Sequence, residues 1–296
     1  MKHAVKWIKE HARPLEQALY KYHFEQGSEE DVIKALKEYQ NEDGGFGHGL
    51  EPDFINPNSN PIDCWVASKI IDEIGLSRDH DMVLKLINYL KQTPYQEDGL
   101  YFYTIQTNND YPHAPWWHYD EHRYIQGYNP TASLLGFLFN YMDLKDEHYL
   151  SIIKRIDQAM NYFIKQDQVE MHELKCFNEL YEYIYLDMNV KKFEVALKKM
   201  NLKTIEKDQE KWLTTYCAKP LQVISSINSP GYEEIKDLVK DEIDSSLKLL
   251  HEDGYVKVLW SWDDHNDDFL VSKKAWQGIL TLEVLKQKKT IYLMSW

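Results

Sequence analysis

The sequence predicts an all-α protein built from repeated helical hairpins. Apolar residues recur at helical spacing along most of its 296 residues. The tripeptide Glu-Asp-Gly stands at 42–44, 97–99 and 252–254, each time after an apolar helix and before an aromatic residue. A loop too rich in Gly, Pro and Asn to be helix or strand, QNEDGGFGHGLEPDFINPNSNPIDCW at 40–65, joins the first two helical segments of the pattern. A hairpin of this kind cannot bury its apolar face alone, so the units stack into one domain spanning 1–296, either an open solenoid or a closed ring.

Val5, Ile8, Leu15, Leu19, Tyr22 and Phe24 make a helical stripe that Pro14 breaks into two short helices, and Gly27 ends it. From Glu29, Val32, Leu36 and Tyr39 share a face until the glycine loop stops the helix after Gln40. Gly45 and Gly47 are expected where that loop needs positive φ. Asn60 and Pro61 read as N-cap and first-turn residues of a helix whose apolar face, Ile62, Trp65, Val66, Ile70 and Ile74, runs to Gly75. A second unit starts near Asp81 with Met82, Val83, Leu86, Ile87 and Leu90, and its partner helix opens at Asn129-Pro130, again as N-cap and first turn. The long aromatic connection between them has no usable period; its two tryptophans disfavour disorder and favour a functional loop. Segments 150–164, 176–188, 192–200 and 212–227 read as helices of two degenerate units. The last unit has Ile235, Leu238, Val239, Ile243, Leu247 and Leu250 on one face, and a helix from about Ser272 that carries Ala275, Trp276, Ile279 and Leu282.

A net charge of −14 and the absence of any Lys/Arg cluster exclude nucleic acid as a natural partner. Cys64, Cys176 and Cys217 lie far apart with no CxxC pair, which argues against a disulfide framework and for a cytoplasmic address. The N-terminus has no apolar signal region, and no apolar run reaches the length of a membrane span.

The run from Gln40 to Phe46, QNEDGGF, resembles the repeat of the squalene cyclase and protein prenyltransferase superfamily, and DGGFGHG at 43–49 is especially similar to the glycine-rich repeat of prenyltransferase β-subunits. The match is good over 30–75, weaker at 84–142 and 240–286, and absent between 150 and 230. The resemblance implies an α/α toroid, a closed ring of inner and outer helices around a central cavity, and an enzyme of the terpenoid cyclase and prenyltransferase type. The signatures of that chemistry are missing. There is no Asp-x-Asp-Asp, and Asp63-Cys64 does not supply the spacing of a prenyltransferase zinc site.

Loops at equivalent places in a closed ring gather at one end, so three loops are candidates for a shared mouth. The first offers His48, Glu51 and Asp53 as catalytic groups, with turn packing as an equally good reading; Asp43, Asp98 and Asp253 are turn chemistry. The second, HAPWWHYDEHR at 113–123, offers His113, Trp116, Trp117, His118 and Arg123 for stacking on a sugar or an isoprenoid, with a proton-transfer role for His113 or His118. Metal ligation by His118 and His122 is not expected, because Pro112 and Pro115 make the start of the segment irregular. The third, WSWDDHNDD at 260–268, puts Asp263 and Asp264 beside Trp260 and Trp262, with Trp276 on the helix beyond. Asp263-Asp264-x-x-Asp267-Asp268 has the form of a magnesium diphosphate motif in an unsuitable context, so no cofactor is expected outside that reading. Crowded acids beside tryptophans equally suit glycosidic cleavage. Three functions stay open: a terpenoid cyclase-like or prenyltransferase-like enzyme, a carbohydrate-active hydrolase or lyase, and a non-catalytic binding module. A cavity that is dry and nearly all aromatic would favour an isoprenoid, aromatics at the rim with several carboxylates at the floor a sugar, and a sealed or side-chain-filled cavity the third.

Overall fold

A residue that precedes proline is pushed out of the helical region, and this separates the first two helices. In the computed structural model, which describes residues 2–224, 226–262 and 266–294, α1 (Lys2–His11) stops short of Arg13. Arg13 is extended at ψ 156°, and α2 (Pro14–Phe24) begins on the proline. The Ser28 side chain accepts from the Asp31 N–H to cap α3 (Glu29–Lys37), and the Asn60 side chain accepts from the Asp63 N–H to cap α4 (Pro61–Glu73). α5 (Asp81–Gln92) leads into a minimal antiparallel hairpin of β1 (Gln96–Glu97) and β2 (Leu100–Tyr101). Single 3₁₀ turns at Gln106–Asp110 and Pro115–Trp117 interrupt the long connection that follows.

α6 (Thr131–Tyr141) starts one residue later than expected, with Pro130 in the capping position. Then come α7 (Tyr149–Phe163), α8 (Met171–Ile184) and α9 (Lys191–Thr204). Where a helix over 212–227 is expected, only the four-residue α10 (Lys211–Thr214) and α11 (Pro220–Val223) form. Pro220 is the reason: it holds Lys219 extended at ψ 155° and so cannot sit inside a longer helix. α12 (Tyr232–Ser246) ends in a 3₁₀ turn, and α13 (Asn266–Met294) begins six residues before the expected Ser272. The protein is therefore mostly helical. None of its described helices is long and apolar enough to cross a membrane.

Burial sorts the helices into two kinds. α5, α7, α9 and α12 bury one stripe, as Phe193, Leu197 and Met200 do on α9, whereas α4 and α6 bury most of their side chains. α6 packs most extensively against α8, and a Cβ on Gly136 would stand 2.4 Å from the Tyr183 ring, so glycine sets how closely the two approach. α13 packs against α1, α2 and α12, and the main apolar core joins Ile8 of α1 to Leu282 of α13.

The Glu-Asp-Gly repeats are equivalent turns. Gly44, Gly99 and Gly254 have φ of 91°, 81° and 103°, a region glycine enters without strain. Each closes a short antiparallel pairing: Gln40 with Phe46, Gln96 with Tyr101, and Leu250 with Val256. In all three the backbone N–H of the later residue donates to a side chain on a following helix. The acceptors are Cys64 Sγ at 3.4 Å, Thr131 Oγ1 at 2.8 Å and Thr281 Oγ1 at 2.8 Å. Gly45 and Gly47 correct the expectation of positive φ, because space is what they supply. A Cβ at Gly45 would lie 2.5 Å from Ser59 Cβ, and one at Gly47 would lie 2.5 Å from the Pro57 carbonyl oxygen.

Candidate functional site

The first loop is held by its own polar groups. Asp43 Oδ1 accepts from the Gly45 N–H at 2.9 Å and from Ser59 Oγ at 2.7 Å, and Asn41 Nδ2 donates to Pro57 O and Ser59 Oγ. His48, at φ 62°, bonds through Nε2 to Asn41 Oδ1 at 2.8 Å and faces outward. Beyond it the chain turns in. Arg13 Nη1 donates to the carbonyls of Gly49 and Leu50, while Nε and Nη2 grip the Glu16 carboxylate. The Glu51 N–H donates to Asp63 Oδ1 at 2.6 Å, and the Asp53 N–H donates to Glu51 Oε2 at 2.7 Å. The second loop then pairs with this one, with Ala114 N to Asp53 O at 2.7 Å and Ile55 N to Pro112 O at 2.8 Å.

Together these segments border a cavity of about 1680 Å³, whose walls come from α2, α4, α6, α8, α12 and α13. Single small-ligand pockets span roughly 300–1,000 Å³, so the space suits an extended substrate. Trp65, Trp116, Trp117, Trp260 and Trp276 line it, and so do Glu51, Asp53, Asp72, Glu179, Glu182 and Glu283.

Glu51 and Asp53 differ in what they can do. Asp53 is 3% exposed and accepts from Trp260 Nε1 at 3.0 Å, Trp262 Nε1 at 2.9 Å and Ser272 Oγ at 2.5 Å. Burial raises its pKa, and these donors oppose that by favouring the charged form. With its oxygens occupied by donors, Asp53 is an anchor between the first loop and the chain around α13. Glu51 has one oxygen on the Asp53 N–H, and its pKa is pushed well above the usual carboxylate range by burial first and then by Asp53 and Asp63. Asp63, fully buried, is raised to about 7 by burial, against the opposing pull of the Glu51 N–H, Asn60 and Arg13. Burial disfavours the charged form of all three acids, and Glu51, which faces the cavity with one oxygen on a backbone N–H, is the one placed to exchange a proton with a ligand.

A second group faces the same end. Glu170 caps α8 through the His172 N–H, and its Oε1 lies 2.8 Å from His172 Nδ1. The carboxylate keeps a proton on Nδ1, so in the neutral imidazole Tyr216 O–H donates to His172 Nε2 at 2.8 Å. Burial raises the Glu170 pKa, but the bonds to His172 outweigh it and the carboxyl lies below its ordinary value. Tyr216 lines the cavity, where the surrounding protein first, and then the charges of Glu170, Glu51 and Asp53, push its pKa up. Tyr103, stacked on Trp117 at 4.6 Å, feels both Glu51 and Glu170.

Deeper along α4 and α8, Glu179 Oε2 accepts from Trp65 Nε1 at 2.7 Å and Ser133 Oγ at 2.6 Å. Lys69 Nζ stands 3.9 Å from the Trp65 ring centroid and 4.0 Å from Glu179 Oε1.

The structure brings Glu51, Asp53, Trp116, Trp117, Trp260 and Trp276 to one cavity. Of the other expected residues, it brings none of the described ones there. His48 is spent on its own loop, and His113 and His118 bond to each other at 3.0 Å outside the lining. Arg123, its side chain 82% exposed, pairs with Asp120. Trp262 is 1% exposed and sits behind the wall, and Asp263 and Asp264 lie outside the described residues. Glu170, His172, Tyr216, Lys69 and Lys175 were not anticipated. Only Glu170-x-His172 just ahead of a helix gave a local signal, as an acidic cap. Among the described residues no three His, Cys, Asp or Glu side chains are disposed around a common metal position. Compared with known proteins, the chain matches no family model, no curated protein and no solved structure.

Proposed function

We propose that the chain is a carbohydrate-cleaving enzyme with an α/α toroid fold, which works by proton transfer at the mouth of its cavity. The toroid reading is supported by α13 lying against α1 and α2, and by α2, α4, α6, α8 and α13 bordering one cavity. The observation that carries the function is the composition of the lining. Five tryptophans share the lining with carboxylates that outnumber its lysines and arginine, which suits the faces and hydroxyls of a saccharide. An open cavity of this size also speaks against a binding module that has lost its site.

In this reading Glu51 is the general acid, since burial and two neighbouring carboxylates favour its protonated form. Tyr216 and His172, oriented by Glu170, are the base pair across from it. Asp53 positions the loop that holds Glu51. Three free cysteines, two of them buried, support a cytoplasmic protein.

Thermal-shift screening of oligosaccharides and isoprenoid diphosphates, followed by product analysis of any stabilising saccharide, tests the proposal. Expected is a saccharide that raises the melting temperature and is cleaved by wild type but not by Glu51→Gln or Tyr216→Phe, both of which fold. Stabilisation by isoprenoid diphosphates alone would overturn it.

A further inference from the structure

We propose that Lys69 and Lys175 form a carboxylate subsite, so that the substrate is a uronic-acid saccharide cleaved by β-elimination. The inference rests on the carbohydrate reading above and deepens it. Both lysines line a cavity whose other charged groups are mainly acids. Their ammonium groups stand 3.9 Å and 6.0 Å from the centroid of the Trp65 ring, which places them within about 10 Å of each other. Neither is closely paired with a protein carboxylate. Lys69 comes no closer than 4.0 Å to Glu179, whose other oxygen already accepts from Trp65 and Ser133. Among the described residues Lys175 makes neither an ion pair nor a hydrogen bond.

Two like charges facing one cavity leave a gap that an anion fills. The repulsion is visible at Lys69, whose pKa is lowered by burial first and by Lys175 second. A carboxylate on the ligand would offset the repulsion between the two ammonium groups.

The position of the pair then selects the chemistry. Lys175 follows His172 by three residues on α8, so it lies one turn, about 4.5 Å along the axis, below the Tyr216–His172 pair. In a uronate the carboxylate carbon is bonded to C5, so an anion held at the lysines brings C5–H toward that pair. Neutralising the carboxylate makes the C5 proton more acidic. The Tyr216–His172 pair takes that proton, the C5–H electrons form the C4=C5 double bond, and the C4–O bond breaks. The departing oxygen takes the proton of Glu51. One bond to hydrogen and one to oxygen are lost, one π bond is gained, and no water, oxidant or metal enters the balance.

The test compares a uronic-acid tetrasaccharide, a neutral tetrasaccharide and acetate as probes of wild type, Lys69→Met and Lys175→Met. Melting temperature and tryptophan fluorescence report binding, and ultraviolet absorbance of the product's conjugated double bond reports elimination. The expected result is preferential binding of the uronate, weakened about tenfold in each lysine variant, with an absorbing product. Equal binding of acidic and neutral saccharides, unchanged in the variants, would overturn the subsite and leave the carbohydrate reading in place. Binding of acetate through the lysines without any saccharide would overturn the uronate assignment together with that reading. Cleavage of the uronate without an absorbing product would overturn the elimination.

Discussion

Replacing Asp53 with alanine tests whether one carboxylate ties the start of the chain to its end. Asp53 accepts from Trp262 and Ser272, each 1% exposed, and from Trp260, which borders the cavity. In Asp53→Ala water reaches Trp260 but not the other two. Each orphaned buried donor costs about 1–3 kcal/mol, and relief from burying a charge offsets part of that, so the expected loss is about 2–4 kcal/mol. Asp53→Asn should lose at least about 1 kcal/mol less, because its remaining oxygen still accepts from Trp262 and Ser272 while its amide turns toward the hydrated Trp260. Urea unfolding gives the stabilities, and hydrogen exchange should show α13 opening first in Asp53→Ala. A loss below about 1 kcal/mol in Asp53→Ala, or equal losses in the two variants, would refute the anchor.

Other perturbations act through single groups. Burial raises the Glu73 pKa, but His23 and Lys286 outweigh it and bring it to about 2. A depressed carboxyl stabilises above its unfolded value and loses that contribution as pH falls toward the folded one. Acid unfolding of wild type should therefore include a loss of about 3 kcal/mol between about pH 4.5 and 2 that Glu73→Gln lacks. Glu242 is the opposite case: buried and bonded to the Leu221 N–H, it is raised to about 7. Its contribution is present below the unfolded value and lost as pH rises to about 7, so Glu242→Gln should gain about 3 kcal/mol relative to wild type between pH 4.5 and 8 in urea titrations. Gly47→Ala, whose Cβ would meet two carbonyl oxygens at 2.5 Å and 2.6 Å, should lower stability by about 1–3 kcal/mol in thermal melts.

What could be read from the chain alone was local. Helical apolar spacing, the Pro14 break, the Asn60-Pro61 start and the three Glu-Asp-Gly turns each depend on a few neighbouring residues, and each forms as read. The same local rules misplace α10 and α11, where one proline outweighs an apolar pattern. They also put Gly45 and Gly47 under the wrong constraint, since crowding by Ser59 and Pro57 is a contact between distant parts of a loop.

The site was legible only in part. Glu51 and Asp53 could be named because they sit on the repeat loop, but their different roles arise from donors on Trp260, Trp262 and Ser272, more than two hundred positions away. His48, His113 and His118 looked as chemically able as His172. Their loops satisfy them locally, whereas the cap at Glu170 turns His172 toward Tyr216, 44 positions on. A sequence lists which side chains can move protons; only the packing of α4, α8 and α13 decides which of them face the same space, because burial and proximity set their pKa values and no run of neighbours encodes either.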